Sequence, residues 1–496
     1  MKPGIIPYQD GDIVTNGQES GLSPRPAFPQ YQLTHGSFYK PHDIPLNKRH
    51  FIYSPCAPRL DFTEMGYCLT EYPFERAGFS LMDRSAGISL KDKDNSIIGV
   101  EKSVGWRTGR SDVCIKEGIS YWEVEIIKGG SIMGTDNDPR RKKDMIDSSP
   151  HLRFGISRRE ASLEAPVGFD SYSYGIRDQY LESISEGKLS QVLEKREGMQ
   201  AGDIISFVLK LPDYDAQVEQ AQEYALRRKE ALKNAIDSSG KTMRTDDNAG
   251  AGTIKKKSKT VKQATNEDFQ LALLEDITYN DIIRDHIPIR YRNQLFFEAT
   301  DYIKTTKPEY YSSDKRERQD YYTLKDSYLA VYLNGEFLGK AFENLNPFLP
   351  PFSELQYNEK FYYGYWKNYN GQHVNGLINP YKNVDSESEQ RLILRNKYVN
   401  NNRLGYYPTI SCFNDGEVKI ITEQRQMKYL DTVKSSELLA DKQIKTLDVL
   451  YKEQIADDIV WDIIDEVEEE GKKLTNTNPP IAAPIDTVLV PEGSGP

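Results

Sequence analysis

Between Leu152 and Arg177 the chain reads LRFGISRREASLEAPVGFDSYSYGIR, and few folds accommodate that succession of signals. LRFGIS alternates large apolar residues with small or polar ones, the pattern of a half-buried antiparallel strand. A loop follows with Pro166 and Gly168, then Phe169 beside an aspartate. SYSYG, closed by Arg177, is a second alternating segment, and GISYWEVEII just upstream is a third, with Trp122, Val124 and Ile126 on one side. Strands framing a Pro-Gly loop, with Arg153 and Arg177 at the edge, make a rigid surface bearing two guanidinium groups. The stretch holds no nucleophile, metal cluster or phosphate loop, so it reads as a surface that holds a partner.

Other stretches repeat the strand pattern. PFERAGFSLMDRSAGISL and NSIIGVEKSVGWRTGR supply entry strands, and AGDIISFVLKLP is a strand led by a Gly-Asp turn. In SYLAVYLNGEFLGKAF, Asn334-Gly335 sits between alternating apolar runs, the strongest short-range hairpin signal. IPIRYRNQLFFEATDYI and LGYYPTISCFNDGEVKII add later strands. Aromatic residues at 11%, including 32 tyrosines, suit a β-rich chain with broad half-buried surfaces. Hydrophobic residues are only 38% and charged ones 28%, so long solvated segments are expected among the 496 residues.

Those segments can be placed. Residues 1–30 read as a flexible lead-in, and 31–430 as one domain with insertions at about 128–150, 213–286 and 344–402. DAQVEQAQEYALRRKEALKNAI has unbroken helical spacing. Beyond it Lys255, Lys256, Lys257 and Lys259 form a basic tract, either a solvated linker or a localisation signal or DNA tether. Arg140 to Lys143 is a second, read as a solvated loop. A net charge of −11 argues against a general nucleic-acid coat. Residues 431–471 are expected to be a linker and a helix, and 472–496 a disordered tail.

That helix is QIADDIVWDIIDEVEEEG, with Ile455, Ile459, Val460, Ile463 and Val467 on one broad face and Asp457, Asp458, Asp462 and Asp465 opposite. Gly471 is expected to end it. A helix of about four turns is marginal alone in water, so it is expected to order on a partner with its acidic face in solvent. Packing on its own domain is the alternative.

Chemistry is soon exhausted. Four cysteines without a C-x-x-C read as small buried hydrophobes, and six scattered histidines show no metal or catalytic spacing. The chain is expected to be non-catalytic, to hold no metal or cofactor, and to be soluble and intracellular. It has no apolar run near the roughly 18 residues of a membrane span.

The WEVEI-type strand, the RFGIS-type strand, P-x-G-x-D-x-x-S-Y and the V-x-L-N-G-x-x-x-G hairpin resemble a SPRY domain. APVGFDSYSY between Arg153 and Arg177 resembles more closely the SPRY subunit of COMPASS-type histone lysine methyltransferase complexes, the fungal counterpart of the animal "absent, small or homeotic discs" protein. The resemblance spans roughly Arg76 to Ile421 outside the insertions. It implies an all-β fold, a SPRY-type antiparallel β-sandwich with long inserted loops and a C-terminal amphipathic helix.

It also implies a nuclear, non-catalytic scaffold for methylation of lysine four of histone three. The scaffold would touch a WD-repeat subunit, a SET-type catalytic subunit and, weakly through basic loops, nucleosomal DNA. The pocket for the WD-repeat subunit would be lined by Trp106, Arg110, Arg153, Pro166, Phe169 and Arg177. Tyrosine is usual in the family where Phe169 stands. The C-terminal helix would hold a small dimeric Dpy-type subunit, with Ile459, Ile463 and Val467 as its apolar triplet. Residues 1–75 lack the cysteines of the animal relatives' zinc-binding region. A SPRY module of a ubiquitin-ligase receptor, or another peptide-binding adaptor, is the alternative.

Overall fold

Two antiparallel sheets face each other in the computed structural model. It describes residues 30–42, 44–47, 51–58, 68–130, 149–193, 198–242, 286–292, 294–300, 323–352, 402–440 and 442–477, with short pieces at 271–284, 362–365 and 392–394. The first sheet runs, neighbour to neighbour, through Gln30–His35, Phe38–His42, Ser89–Lys91, Ile97–Gly99, Glu417–Ile421, Gly118–Lys128, Ile204–Leu211, Tyr328–Leu333 and Glu336–Glu343. The second runs through Lys188–Ser190, Ser183–Ser185, Ser173–Arg177, His151–Ser157, Tyr407–Phe413, Arg107–Ser111 and Phe79–Arg84.

Alternation decides which residues meet between them, because successive strand side chains point to opposite faces. Trp122, Val124 and Ile126 from the first sheet join Ile205, Phe207 and Val331 against Leu152, Phe154, Ile176 and Ile410 of the second. Cys412 lies in the same core, and all four cysteines are free and buried. Asn334 and Gly335, with φ of 50° and 84°, form the hairpin turn the Asn-Gly pair predicts.

The residues of odd number on the central strand face the other way, and there a second cluster forms. Tyr121 packs with Val208, Tyr328 and Tyr332 under Leu430, Val433 and Leu439. Residues beyond 430 are therefore not a bare linker. α1 (Tyr214–Thr242) likewise seats Val218 and Ala221 in the main core before running on, and α2 (Leu430–Lys434) seats Leu430 and Val433 in the second. Glu123, fully buried on that side, accepts bonds from the Tyr121 hydroxyl (2.7 Å) and the backbone N–H groups of Lys428 (2.9 Å) and Tyr429 (2.7 Å). One carboxylate thus ties the post-sandwich segment to the sheet.

Ile287–Tyr291 and Gln294–Thr300, the strands expected in IPIRYRNQLFFEATDYI, pair with Phe51–Pro58 and Cys68–Thr70 in a separate four-stranded sheet. Two other expectations change. The expected insertion from 344 opens with core residues, since Leu345, Phe348 and Leu349 are buried in the main cluster. α3 (Leu447–Thr477) is longer than predicted, and Gly471 lies inside it with open space around its Cα. Most of residues 1–30, the basic tracts at 140–143 and 255–259, and residues 478–496 fall outside the described part.

α3 begins in the core with Leu447 and Tyr451, and Ile455 packs at its margin. Beside this first turn lies a cavity of about 120 Å³ lined by Tyr72, Asp112, Tyr451, Gln454 and Asp458 among others. Burial pushes the Asp112 carboxyl up to about 7, outweighing the N–H bond it accepts from Gly78. Between about pH 4 and 7 the folded protein holds a proton that the unfolded chain has released, so this group lowers stability as pH rises through that window. Asp112→Asn keeps the Gly78 bond and removes the titration. Its melting temperature, relative to the unaltered protein, is expected to rise from pH 4 to pH 7 and level off above; a constant difference across that range contradicts the assignment.

Candidate functional site

The outer face of the second sheet carries the residues of the conspicuous stretch. Arg153 and Arg177 are direct partners across neighbouring strands, so two cations stand side by side. Like charges in that position repel. Arg177 is answered by Glu182 at 2.7 Å and Gln179 at 3.2 Å. Arg153 instead lays its guanidinium over the Trp106 ring, 4.8 Å from the centroid, with Nε buried and without a hydrogen-bond partner. Among the described residues no carboxylate forms an ion pair with it. Burial first, then the Arg177 charge, push the Arg153 guanidinium down to about 10, with Asp178 acting the other way. Trp106 in turn packs on Phe413, their centroids 5.3 Å apart.

Pro166 and Phe169 reach this face on the loop between the strands, and the sheet holds that loop closely. Thr108 donates its hydroxyl to Ala165 O (2.8 Å), and Ser411 accepts from Val167 N–H (2.9 Å). Ser411 is itself the register partner of Arg153, so the loop lands next to the arginine. Asp170 closes the loop by accepting from Ser162 N–H, Tyr172 N–H and the Ser173 hydroxyl at 2.9–3.1 Å. Gly175 is required beneath it, because a Cβ there would come within 2.6 Å of Val167 O. Phe169 is left 59% exposed at the rim.

Arg110 does not line this surface. It is 3% exposed and its donors are committed inward: Nε and Nη2 to Asp83 at 2.8 and 3.0 Å, Nη1 to the carbonyls of Arg158 and Ala161 at 2.8 and 3.1 Å. It supports the loop from below. The sequence carried no sign of the Asp83 pairing, nor of Thr108 and Ser411 as loop anchors, because each lies on a strand distant in the chain.

The second candidate surface is on α3, and it is turned opposite to expectation. Asp458 and Asp462 are buried, whereas Ile459, Val460, Ile463 and Val467 are 54%, 55%, 56% and 66% exposed. Ile464, missed in the sequence although it has the right spacing, joins them. Ile455 leaves the group because it packs inward. The buried side is held by charge: Arg403 meets Asp458 at 2.5 Å, Arg284 meets Asp462 at 2.6 Å and Asp465 at 3.2 Å, and Thr70 N–H donates to Asp462 at 3.0 Å. Burial raises the Asp462 carboxyl while Arg284 and Thr70 lower it. The tract of Lys255, Lys256, Lys257 and Lys259 lies outside the described residues. Among the described residues no cluster of metal-ligating side chains occurs.

Arg153→Gln should leave the melting temperature of the free protein unchanged or raise it, since it relieves a repulsion and breaks no ion pair. Arg177→Gln should lower it through the loss of Glu182. Equal losses in thermal denaturation would show that the charge of Arg153, like that of Arg177, is answered within the free protein.

No family model matches the chain. Among curated proteins it is 53% identical to "COMPASS component BRE2" of Saccharomyces cerevisiae, across 95% of this chain and 99% of that one. "COMPASS component cclA" of Emericella nidulans is 28% identical over 87% of the chain, which spans 60% of that longer relative. "Set1 complex component ash2" of Schizosaccharomyces pombe is 26% identical over 93% of the chain, which spans 51% of it. Solved human SPRY domains, that of HERC1 among them, align with TM-scores of 0.24 and 0.27 at 8% and 10% identity. Those scores carry no weight here, and the sandwich rests on the strand order given above. The close relationship along nearly the whole length of both chains decides the matter: this chain belongs to the family of COMPASS components to which yeast BRE2 belongs.

Proposed function

We propose that the protein is a non-catalytic scaffold of a nuclear histone methyltransferase complex, working through two surfaces. Relatedness to COMPASS components along 95% of the chain is the observation that carries this reading. The face of Arg153, Trp106 and Arg177 supports docking of an acidic and aromatic segment of the WD-repeat subunit. A guanidinium stacked on an aromatic ring, with an unanswered charge, suits a carboxylate approaching in the guanidinium plane. Pro166 and the exposed Phe169 supply the apolar wall of that contact. The ridge of Ile459, Val460, Ile463 and Val467 suits the apolar cleft of the small Dpy-type dimer by helix-in-groove binding. With both held, the catalytic SET-type subunit is steadied in its active arrangement, a population shift and not a chemical contribution.

Arg153→Ala should weaken binding to the WD-repeat subunit by about 2–4 kcal/mol, the range for truncating a partly desolvated charge contact. Unchanged affinity of a folded variant by calorimetry excludes that pocket. Ile463→Asp should abolish co-purification of the Dpy-type subunit, because an unpaired buried carboxylate costs several kcal/mol, and should spare the WD-repeat subunit. In reconstituted methylation assays the purified protein should transfer no methyl group alone, and omitting it should slow the complex. An unaltered rate without it contradicts the scaffold role.

A further inference from the structure

An amphipathic helix ordinarily buries its apolar stripe on its own domain; α3 buries Asp458 and Asp462 and leaves the stripe in water. At 3.6 residues per turn, Asp458, Asp462 and Asp465 share one side, and Ile459, Val460, Ile463, Ile464 and Val467 centre roughly opposite. The carboxylates meet arginines from two separate parts of the fold. Arg403 leads into the sandwich strand Tyr407–Phe413, and Arg284 leads into the four-stranded sheet through Ile287–Tyr291. The Arg284 side chain is buried and that of Arg403 largely so, and the Tyr72 hydroxyl and Thr70 backbone N–H also donate to the same carboxylates.

We propose that Arg403 and Arg284 are positioning residues that fix the rotation of α3, forbid the helix from burying its own ridge, and so hold the ridge ready for its partner. Rolling the helix by half a turn would bury five apolar side chains, a gain in itself. It would also leave two buried guanidinium groups facing hydrocarbon, and an uncompensated buried charge costs more than such burial returns. Polar anchoring therefore solves a conflict that apolar anchoring cannot: the same helix is attached to its domain and keeps its apolar residues free. The two rungs also tie the sandwich to the four-stranded sheet, so the ridge is registered against both. This rests on reading the ridge as the docking surface for the Dpy-type subunit.

The test uses the full-length chain carrying Asp458→Asn and Asp462→Asn together, which keep shape and remove charge. Hydrogen exchange of the free protein should show lost protection across the second half of α3, with Ile204–Leu211 unchanged. Affinity for the Dpy-type subunit should fall about tenfold or more, as when the binding-competent arrangement drops to a tenth or less of the population. Asp462→Glu should recover part of both, which a merely spatial role for the side chain would not allow. Should the double variant fail to fold, Asp462→Asn alone carries the same comparison. Unchanged protection and affinity overturn the proposal, as does protection lost evenly throughout the molecule. Ile463→Asp runs alongside: if it still binds the dimer, the reading of the ridge fails, while the exchange pattern of the Asn variants separately decides whether the charges register the helix.

Discussion

Arg110 is the residue on which the arrangement of the second sheet turns. A guanidinium buried to that degree is tolerable only if its donors are met, and here two go to Asp83 and the Nη1 side to two carbonyls of the neighbouring loop. The consequence is geometric. Asp83 lies on the edge strand Phe79–Arg84, and the carbonyls belong to Arg158 and Ala161 at the start of the loop that bears Pro166 and Phe169. One side chain therefore fixes an edge strand, a central strand and the loop against one another. Thr108, Ser411 and Asp170 complete the fastening, and Gly175 lets the loop lie flat on the sheet.

Above that fastening the charges are deliberately unequal in their company. Arg110 is fully matched, Arg177 is matched by Glu182, and Arg153 is supported by Trp106 without a carboxylate among the described residues. Matched arginines tie strands and loops together, and the unmatched one is left stacked on a ring. α3 repeats the division of labour with the opposite chemistry. Its matched carboxylates hold it in place, and its unmatched apolar residues face outward. In both places the group left without a partner is the one on which the proposed docking of another molecule rests.

Much of the sandwich was legible because period-two alternation reports burial directly. Gly118–Lys128, His151–Ser157, Ile204–Leu211 and the Asn334-Gly335 hairpin all lie where alternation or turn chemistry puts them. Arg153 and Arg177 are partners across neighbouring strands, and Arg153 stacks on Trp106, which lies outside that stretch. Arg110 was misplaced for a definite reason. An arginine on a strand has the same letter whether its tip meets water or Asp83, and Asp83 is 27 residues away in the chain.

The helix marks the boundary between the two kinds of information most clearly. Its sequence alone determined that it is helical, that one side is apolar and the other acidic, and which residues lie on each, since those follow from 3.6-residue periodicity. Which side meets the domain could not follow from it. That was decided by Arg403 and Arg284, brought up from two distant segments to meet Asp458 and Asp462, with Thr70 and Tyr72 donating to the same carboxylates. Periodicity is a property of the segment; the choice of face depends on the charges opposite, and those come together only when the strands that carry them have paired.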